Sequence, residues 1–507
     1  MTTTRTRRRT VAVAIAVALG LSACSTTSGP GGGGTGEQTL RYAPGLFPVS
    51  LDVQQYPAEE AVQTAAQQVL EPLVELKDGV PAPLLAEKWT NPDDRTWVFT
   101  LREGVTFSDG SPLEAADVVA SVQRLIDLEG PLKPVLESVT SIEATDARTV
   151  TIRTSSPLGT LASTMSLVFV GPAERVGQDD FWKKPIGTGP FKVESFAPDD
   201  KVVMTRNDAY WGTKPALSRL EFVNYPEVSA RLTALETGEV DVTNSIPPDQ
   251  VAAVSDKDGL TYETKDGFTY YFIWFNQNRD QFKDAKVRQA MWHAVNVEET
   301  VADLYGDGAT VAKSPVTQSV FGSTPLQPYA YDPARAKALL AEAGFPNGFS
   351  TSIQWPREGG PNIKALAQAM VSDWAKVGIT VKPLEKERAQ WLKDFGALSW
   401  DLNLQTNTTG TGDADFTLAR LYTCAAKRMG YCNPELDKTL MAARASLDQS
   451  ERKKLYAEAD AILWKDAPGI FPADLKNNAA VRDSVKGFEL PPNGRPTFKT
   501  VSVATGD

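Results

Sequence analysis

The run Tyr270-Tyr271-Phe272-Ile273-Trp274-Phe275 narrows what this chain can fold into more than any other stretch. Aromatic and β-branched side chains suit a pleated surface, and this run is β-prone on both faces, so it is a strand. Alternation puts Phe272, Trp274 and Asn276 on one side and Tyr271 and Phe275 on the other. Bulk on both sides leaves two arrangements: a strand buried on both faces, or one with a face lining a cleft. Under the second, Tyr270, Trp274 and Asn276 are candidate ligand-lining residues; under the first they are core.

Short strands and helices alternate throughout the rest of the chain, which reads as α/β. Arg95 to Leu101 alternates, with Trp97, Phe99 and Leu101 on one face, and Phe107-Ser108-Asp109-Gly110 supplies a turn. Ala115 to Asp127 then spaces Val118, Val119, Val122, Leu125 and Ile126 as one face of a helix. Further helices carry start and stop signals. Asp284 precedes the stripe Val287, Ala290, Met291 and Ala294, and Asp332-Pro333 is an N-cap with proline at the first helical position, closed by Gly344. Leu366, Met370, Trp374 and Val377 end at Gly378, and Asp448 with Glu451 precedes Leu455, Ala459 and Ile462. At 507 residues the chain exceeds one compact core. No Pro/Gly/Ser linker divides it after Gly36, so its lobes are expected to be joined by several strand crossings.

The first residues read as an export signal. Arg5, Arg7, Arg8 and Arg9 precede the apolar run Val11 to Leu21, which ends in Leu21-Ser22-Ala23-Cys24. A charged start, a short apolar centre and small residues before the cleavage point define residues 1–23 as a secretory signal. The run is too short to cross a bilayer, which takes roughly 20 residues in a helix. Leu-x-Ala-Cys resembles a bacterial lipobox, in which Cys24 is lipidated and anchors the mature protein. Residues 24–36, mostly Ser, Thr and Gly, have nothing to bury and read as a flexible tether.

Several chemistries are disfavoured. The formal charge is −11, and removing the four leader arginines leaves about −15. With no basic stripe, nucleic acid is not an expected partner. No Gly-rich phosphate loop or Gly-x-Ser-x-Gly elbow occurs. His293 is the only histidine, which argues against a triad and against a metal site, and its place beside Trp292 inside a helix suits a structural role. Asp413 and Asp415 lie in a Gly/Thr-rich loop where turn formation and capping explain them. Once Cys24 is set aside, Cys424 and Cys432 remain as a pair in an oxidising compartment, either bridged or as two buried thiols.

A set of colinear motifs is similar to one family. Leu85-Ala86-Glu87-Lys88-Trp89, Trp97 through Gly110 and Asp117-Val118-Val119 resemble the signature of the oligopeptide/dipeptide/nickel class of extracytoplasmic solute-binding proteins, family 5. Pro185 through Phe191, Arg206 through Trp211, Phe275-Asn276 with Val287 through Ala290, and Asn433 through Asp437 follow in the same order. The resemblance implies a two-lobed clamp of the periplasmic-binding-protein type II form. Lobe I would span 37–272, with an inserted subdomain at about 54–186. Lobe II would span 273–469, and 470–507 would return to lobe I, with crossovers near Trp274 and Phe471. It implies a lipid-anchored, non-catalytic, monomeric protein on the outer face of a Gram-positive cell membrane, without a cofactor. Such a protein captures a peptide for the permease of an ABC importer, whose ATPases lie on the cytoplasmic side. An oligosaccharide or siderophore on the same fold, a surface hydrolase, and a lipid-anchored sensor or assembly factor are the rival readings.

Asp373 through Gly378 and the placement of Cys424 and Cys432 resemble the dipeptide-binding branch. There an arginine holds the ligand carboxylate, which the resemblance places near Arg357, and bidentate pairing is the physical reason for arginine. A tryptophan and, three residues on, an aspartate normally meet the peptide's amine; here those positions are Asn407 and Gly410. Asp413 would substitute from the next turn, and Trp400 would add to the aromatic wall.

Overall fold

The computed structural model describes residues 38–504, except positions 58, 78, 129, 131 and 358. The signal, Cys24 and the tether therefore lie outside the described residues. Strand Leu260–Phe275 and strand Ala473–Arg482 run antiparallel through the middle of a mixed sheet. Beyond Ala473–Arg482 the sheet continues through Val242–Asn244, Thr39–Ala43, Arg219–Val223, Lys201–Arg206 and Phe191–Ala197. Beyond Leu260–Phe275 it continues through Leu402–Thr408, Ser350–Pro356 and Thr380–Lys386.

The long strand changes partners along its length. Leu260 to Asp266 pairs with Arg482 to Lys476, and Thr269 to Phe275 pairs with Thr408 to Leu402. The register breaks between Asp266 and Tyr270. Gly267 sits at the break, where a Cβ would come 2.7 Å from the Leu475 carbonyl, so the approach of the two strands requires its missing side chain. The long strand thus passes from one partner to the other at 266–270, and the chain comes back into the sheet through Phe471 to Asp474.

The buried cores divide along these crossings. One cluster runs from Phe268 to Leu475 and contains Tyr270 through Phe275. Another runs from Leu73 to Val170, around a four-stranded sheet in the order 86–93, 96–101, 149–154 and 139–146. Trp97, Phe99 and Leu101 face into it as their alternation requires, and helix Ala115–Asp127 covers it with Val118, Val122 and Leu125. A third cluster combines the beginning of the chain, the stretch around 191–242 and the end.

The helix starts follow their caps. Asp284, Asp332 and Asp448 each accept a hydrogen bond from a first-turn amide, a contribution of about 1 kcal/mol each. Helix Gln449–Asp466 buries Arg452, Tyr456, Ala459, Asp460 and Leu463, while Leu455 and Ile462 of the expected stripe are only partly buried. Its inward face is rotated because a buried arginine, invisible to an apolar pattern, occupies it.

Candidate functional site

The second half of the long strand supplies two aromatic faces. Tyr271 shares one face with Ile273 and Phe275; its hydroxyl donates to the Pro361 carbonyl at 2.6 Å, its ring meets Tyr305, and Phe275 meets Phe282. Tyr270, Phe272 and Trp274 share the opposite face with their register partners Asn407, Gln405 and Asn403. Helix Ala414–Tyr422 bears on that face. Trp274 Nε1 donates to Tyr422 Oη at 3.1 Å, and Arg420 Nη2 donates to Asn407 Oδ1 at 2.8 Å. The Arg420 guanidinium lies 5.0 Å over the Phe416 ring.

The residues singled out from sequence occupy distinct places. Tyr270 and Trp274 are fully buried, and Trp274 stacks on Phe395, which stacks in turn on Trp400. Asn276 donates to the carbonyls of Leu398 and Trp400 at 3.0 and 2.7 Å, fastening a turn in which Leu398 takes a positive φ. Asn407 is engaged twice, by Arg420 and through Thr417 Oγ1 at 3.0 Å. Arg357 stands at the strand ends with its side chain 58% exposed, paired to Glu387 and, at 3.9 Å, to Glu385. Asp413 meets none of the conditions for receiving an amine in this conformation. It caps helix Ala414–Tyr422, both its oxygens accept from Arg452 Nη2 at 2.8 Å, and its side chain is 3% exposed. The carboxylate expected to replace the missing anchor is the counter-ion of a buried arginine. Gly410 lies against the edge of Phe416.

Cys424 and Cys432 are joined by a disulfide eight residues apart in sequence. His293 is a helix residue with Nδ1 2.8 Å from the Ala330 carbonyl and its ring beside Tyr329.

Elements of 54–186 meet elements of 273–469 at several places. Gly159 N–H donates to the Arg444 carbonyl at 2.6 Å, and Arg444 Nε holds Asp415 at 3.1 Å. Gly79 and Gly412, both at positive φ, abut so closely that a Cβ on Gly412 would lie 3.1 Å from the Gly79 Cα. Phe416 packs against the cluster that contains Trp97 and Phe99. A cavity of about 550 Å³ opens beside the first contact, lined by Glu137, Ser156, Thr160, Asp415, Met441 and Arg444 among others. A second, of about 470 Å³, is edged by Glu71, Glu75, Lys77, Glu489, Arg495 and Lys499. Glu71 anchors that region: Thr188, Tyr210 and Trp211 each donate to its carboxylate at 2.8 Å, which counters the rise that burial alone would impose on its pKa.

Sequence reasoning passed over Arg420, Phe416 and Tyr422. The available signal was the spacing of Phe416 and Arg420, four residues apart on one face of the short helix Ala414–Tyr422.

A sequence model described as bacterial extracellular solute-binding proteins, family 5, middle, matches residues 80–428. The chain belongs to that family. Its relatives include the dipeptide-binding protein of Escherichia coli, 29% identical over 85% of this chain and 88% of that protein. Heme-binding protein A of Haemophilus influenzae is 29% identical over 87% of each chain. Among solved structures, HbpA2 from Haemophilus parasuis is 30% identical with a TM-score of 0.82, covering 92% of this chain and 100% of that one. DppA from Helicobacter pylori, in complex with the peptide STSA, is 26% identical with a TM-score of 0.79, covering 92% and 98%. The family 5 fold is the two-lobed α/β clamp of type II periplasmic binding proteins, and family members are extracytoplasmic solute-binding proteins of ABC importers.

Proposed function

We propose that this family 5 protein captures a peptide or peptide-like solute between 37–272 and 273–469 and delivers it to the permease of an ABC importer. Residues 470–507 complete the first lobe, and a lipid on Cys24 holds a monomeric body at the outer face of the membrane. The reading is carried by one observation: strands cross between the two sets of elements at 266–270 and 471–474, and 54–186 meets 273–469 separately where the Gly159 amide donates to the Arg444 carbonyl. Two bodies joined at one edge and touching at another are built to open and close. Relatives named for dipeptides, glutathione and di/tripeptides support a peptide ligand.

In this account Tyr270 and Asn407 face the solute and Arg357, at the rim, takes its carboxylate. Trp274, Trp400, Asn276 and Asp413 hold the wall in place. The occupied carboxylate of Asp413 and the glycine at 410 favour a second reading, a solute without a free amine. Native mass spectrometry of the purified mature chain, followed by thermal-shift screening with peptides, tests capture. A peptide at 100 times its Kd stabilises by about 2.7 kcal/mol. Turnover of a peptide by the purified chain, or indifference to every peptide and every co-purifying solute, contradicts it.

A further inference from the structure

Two of the contacts between 54–186 and 273–469 bring backbone directly against backbone, and both fall on glycines. Gly159 takes an ordinary backbone conformation, so its own loop does not call for glycine. The facing body does. A Cβ at 159 would overlap the Ser446 carbonyl, 2.8 Å from its carbon, and would lie 3.2 Å from the Arg444 oxygen that accepts the Gly159 amide. The three atoms such a Cβ would meet first all belong to Arg444 and Ser446. At the other contact, a Cβ on Gly79 would lie 3.1 Å from the Gly412 carbonyl oxygen. Glycine permits approaches this close, and backbone cannot swing aside as a side chain can.

The two landing points are tied to each other by one buried side chain. Gly412 is fixed on one side by its carbonyl, which accepts the Phe321 amide at 2.8 Å. On the other side stands Asp413, held by Arg452 Nη2 at 2.8 Å. The same guanidinium donates through Nε to the Ala443 carbonyl at 3.2 Å, one residue before Arg444. Arg444 in turn holds Asp415 through Nε at 3.1 Å, so helix Pro434–Ala445 is fastened to the start of helix Ala414–Tyr422 twice. On the facing body, Trp97 Nε1 donates to the Leu158 carbonyl at 3.1 Å and steadies the loop that carries Gly159. A buried ion pair is a weak source of net stability, and bracing gives the Arg452–Asp413 pair a use beyond it.

We propose that Gly412 and Arg444–Ser446 form a single braced seat on which Gly79 and Gly159 land when the two bodies shut, and that glycine at 159 is what allows full closure. The proposal rests on the capture reading above and adds what sets the closed position: a stop of backbone against backbone, with no side chain between to yield. A solute is then held tightly only if the two bodies reach the seat around it, because affinity for the closed state is what shifts the clamp toward closing.

Gly159→Ala in the mature chain tests it. Gly177→Ala is the control, since its backbone is ordinary and a Cβ there meets nothing within 4 Å. The probe is a di- and tripeptide digest of casein, titrated into protein stripped of solute. Small-angle X-ray scattering reads compaction, and the urea midpoint is measured without the digest. The native chain and Gly177→Ala should compact as digest is added. Gly159→Ala should keep the native midpoint yet compact incompletely, and should need roughly tenfold more digest or more, the effect of losing about one hydrogen bond. Full compaction of Gly159→Ala at the native concentration overturns the seat and leaves capture standing. A lowered midpoint of stripped Gly159→Ala does the same, because the contact would then already be made in the empty protein. Failure of the native chain to compact overturns both.

Discussion

Replacing Asp413 by alanine separates a structural carboxylate from a ligand-binding one. In the structure its two oxygens each lie 2.8 Å from Arg452 Nη2, the Tyr456 hydroxyl approaches at 3.3 Å, and the two charged side chains are 3% and 5% exposed. Removing the carboxylate leaves Arg452 buried with a carbonyl, that of Ala443, and the Tyr456 hydroxyl as its remaining partners. An uncompensated buried charge costs about 3–5 kcal/mol. Asp413→Ala should therefore lower stability by about that amount in urea unfolding of the mature chain, read as a shift of the midpoint at unchanged slope. Asp413→Leu combined with Arg452→Met removes both charges and should recover most of the loss, since a buried pair replaced by apolar groups of similar volume is often near neutral. If Asp413→Ala leaves the midpoint in place but abolishes solute binding, the carboxylate belongs to the ligand and the reasoning fails.

Glu71→Ala should cost about 3 kcal/mol in the same unfolding measurement, because Thr188, Tyr210 and Trp211 lose one shared acceptor; Glu71→Gln should cost less. Reducing the Cys424–Cys432 disulfide, with its eight-residue separation, should lower stability by about 2.5 kcal/mol in the chain-entropy account, checked by unfolding with and without reductant. Asp474 is buried and its pKa is pushed up to about 8, chiefly by burial. The folded state then holds a proton that the unfolded state releases, so stability falls as pH rises from the ordinary carboxylate range toward about 8, and levels off above it. The slope is at most ~1.4 kcal/mol per pH unit, and Asp474→Asn should show a correspondingly flatter stability–pH curve.

Much of the fold was legible because its determinants are local. Trp97, Phe99 and Leu101 alternate because one side of that strand meets a core, and Asp284, Asp332 and Asp448 start helices because their side chains satisfy first-turn amides. The two-faced aromatic run left two arrangements open. The structure buries both faces, against Tyr305 and Phe282 on one side and helix Ala414–Tyr422 on the other. The partner switch at Gly267 was not legible, since it depends on which strands arrive from 402–408 and 473–482. Site residues were harder for the same reason. Asp413 has the right type and nearly the right position for an amine, but Arg452, 39 residues away, decides its role. Arg420 escaped notice because its partner Asn407, on strand Leu402–Thr408, reaches it only once the chain has folded.

Hydrogen exchange at the Gly159 amide, which donates to the Arg444 carbonyl across the two sets of elements, reads the clamp directly. The mature chain would be measured stripped of its co-purified solute and again after that solute is restored. Restoring it should slow exchange at Gly159 while amides in the central pair around Val481 stay as they were, because only the far contact opens. Equal exchange at Gly159 in both states, or slowing spread evenly over the whole chain, would show a body that does not shut around a guest.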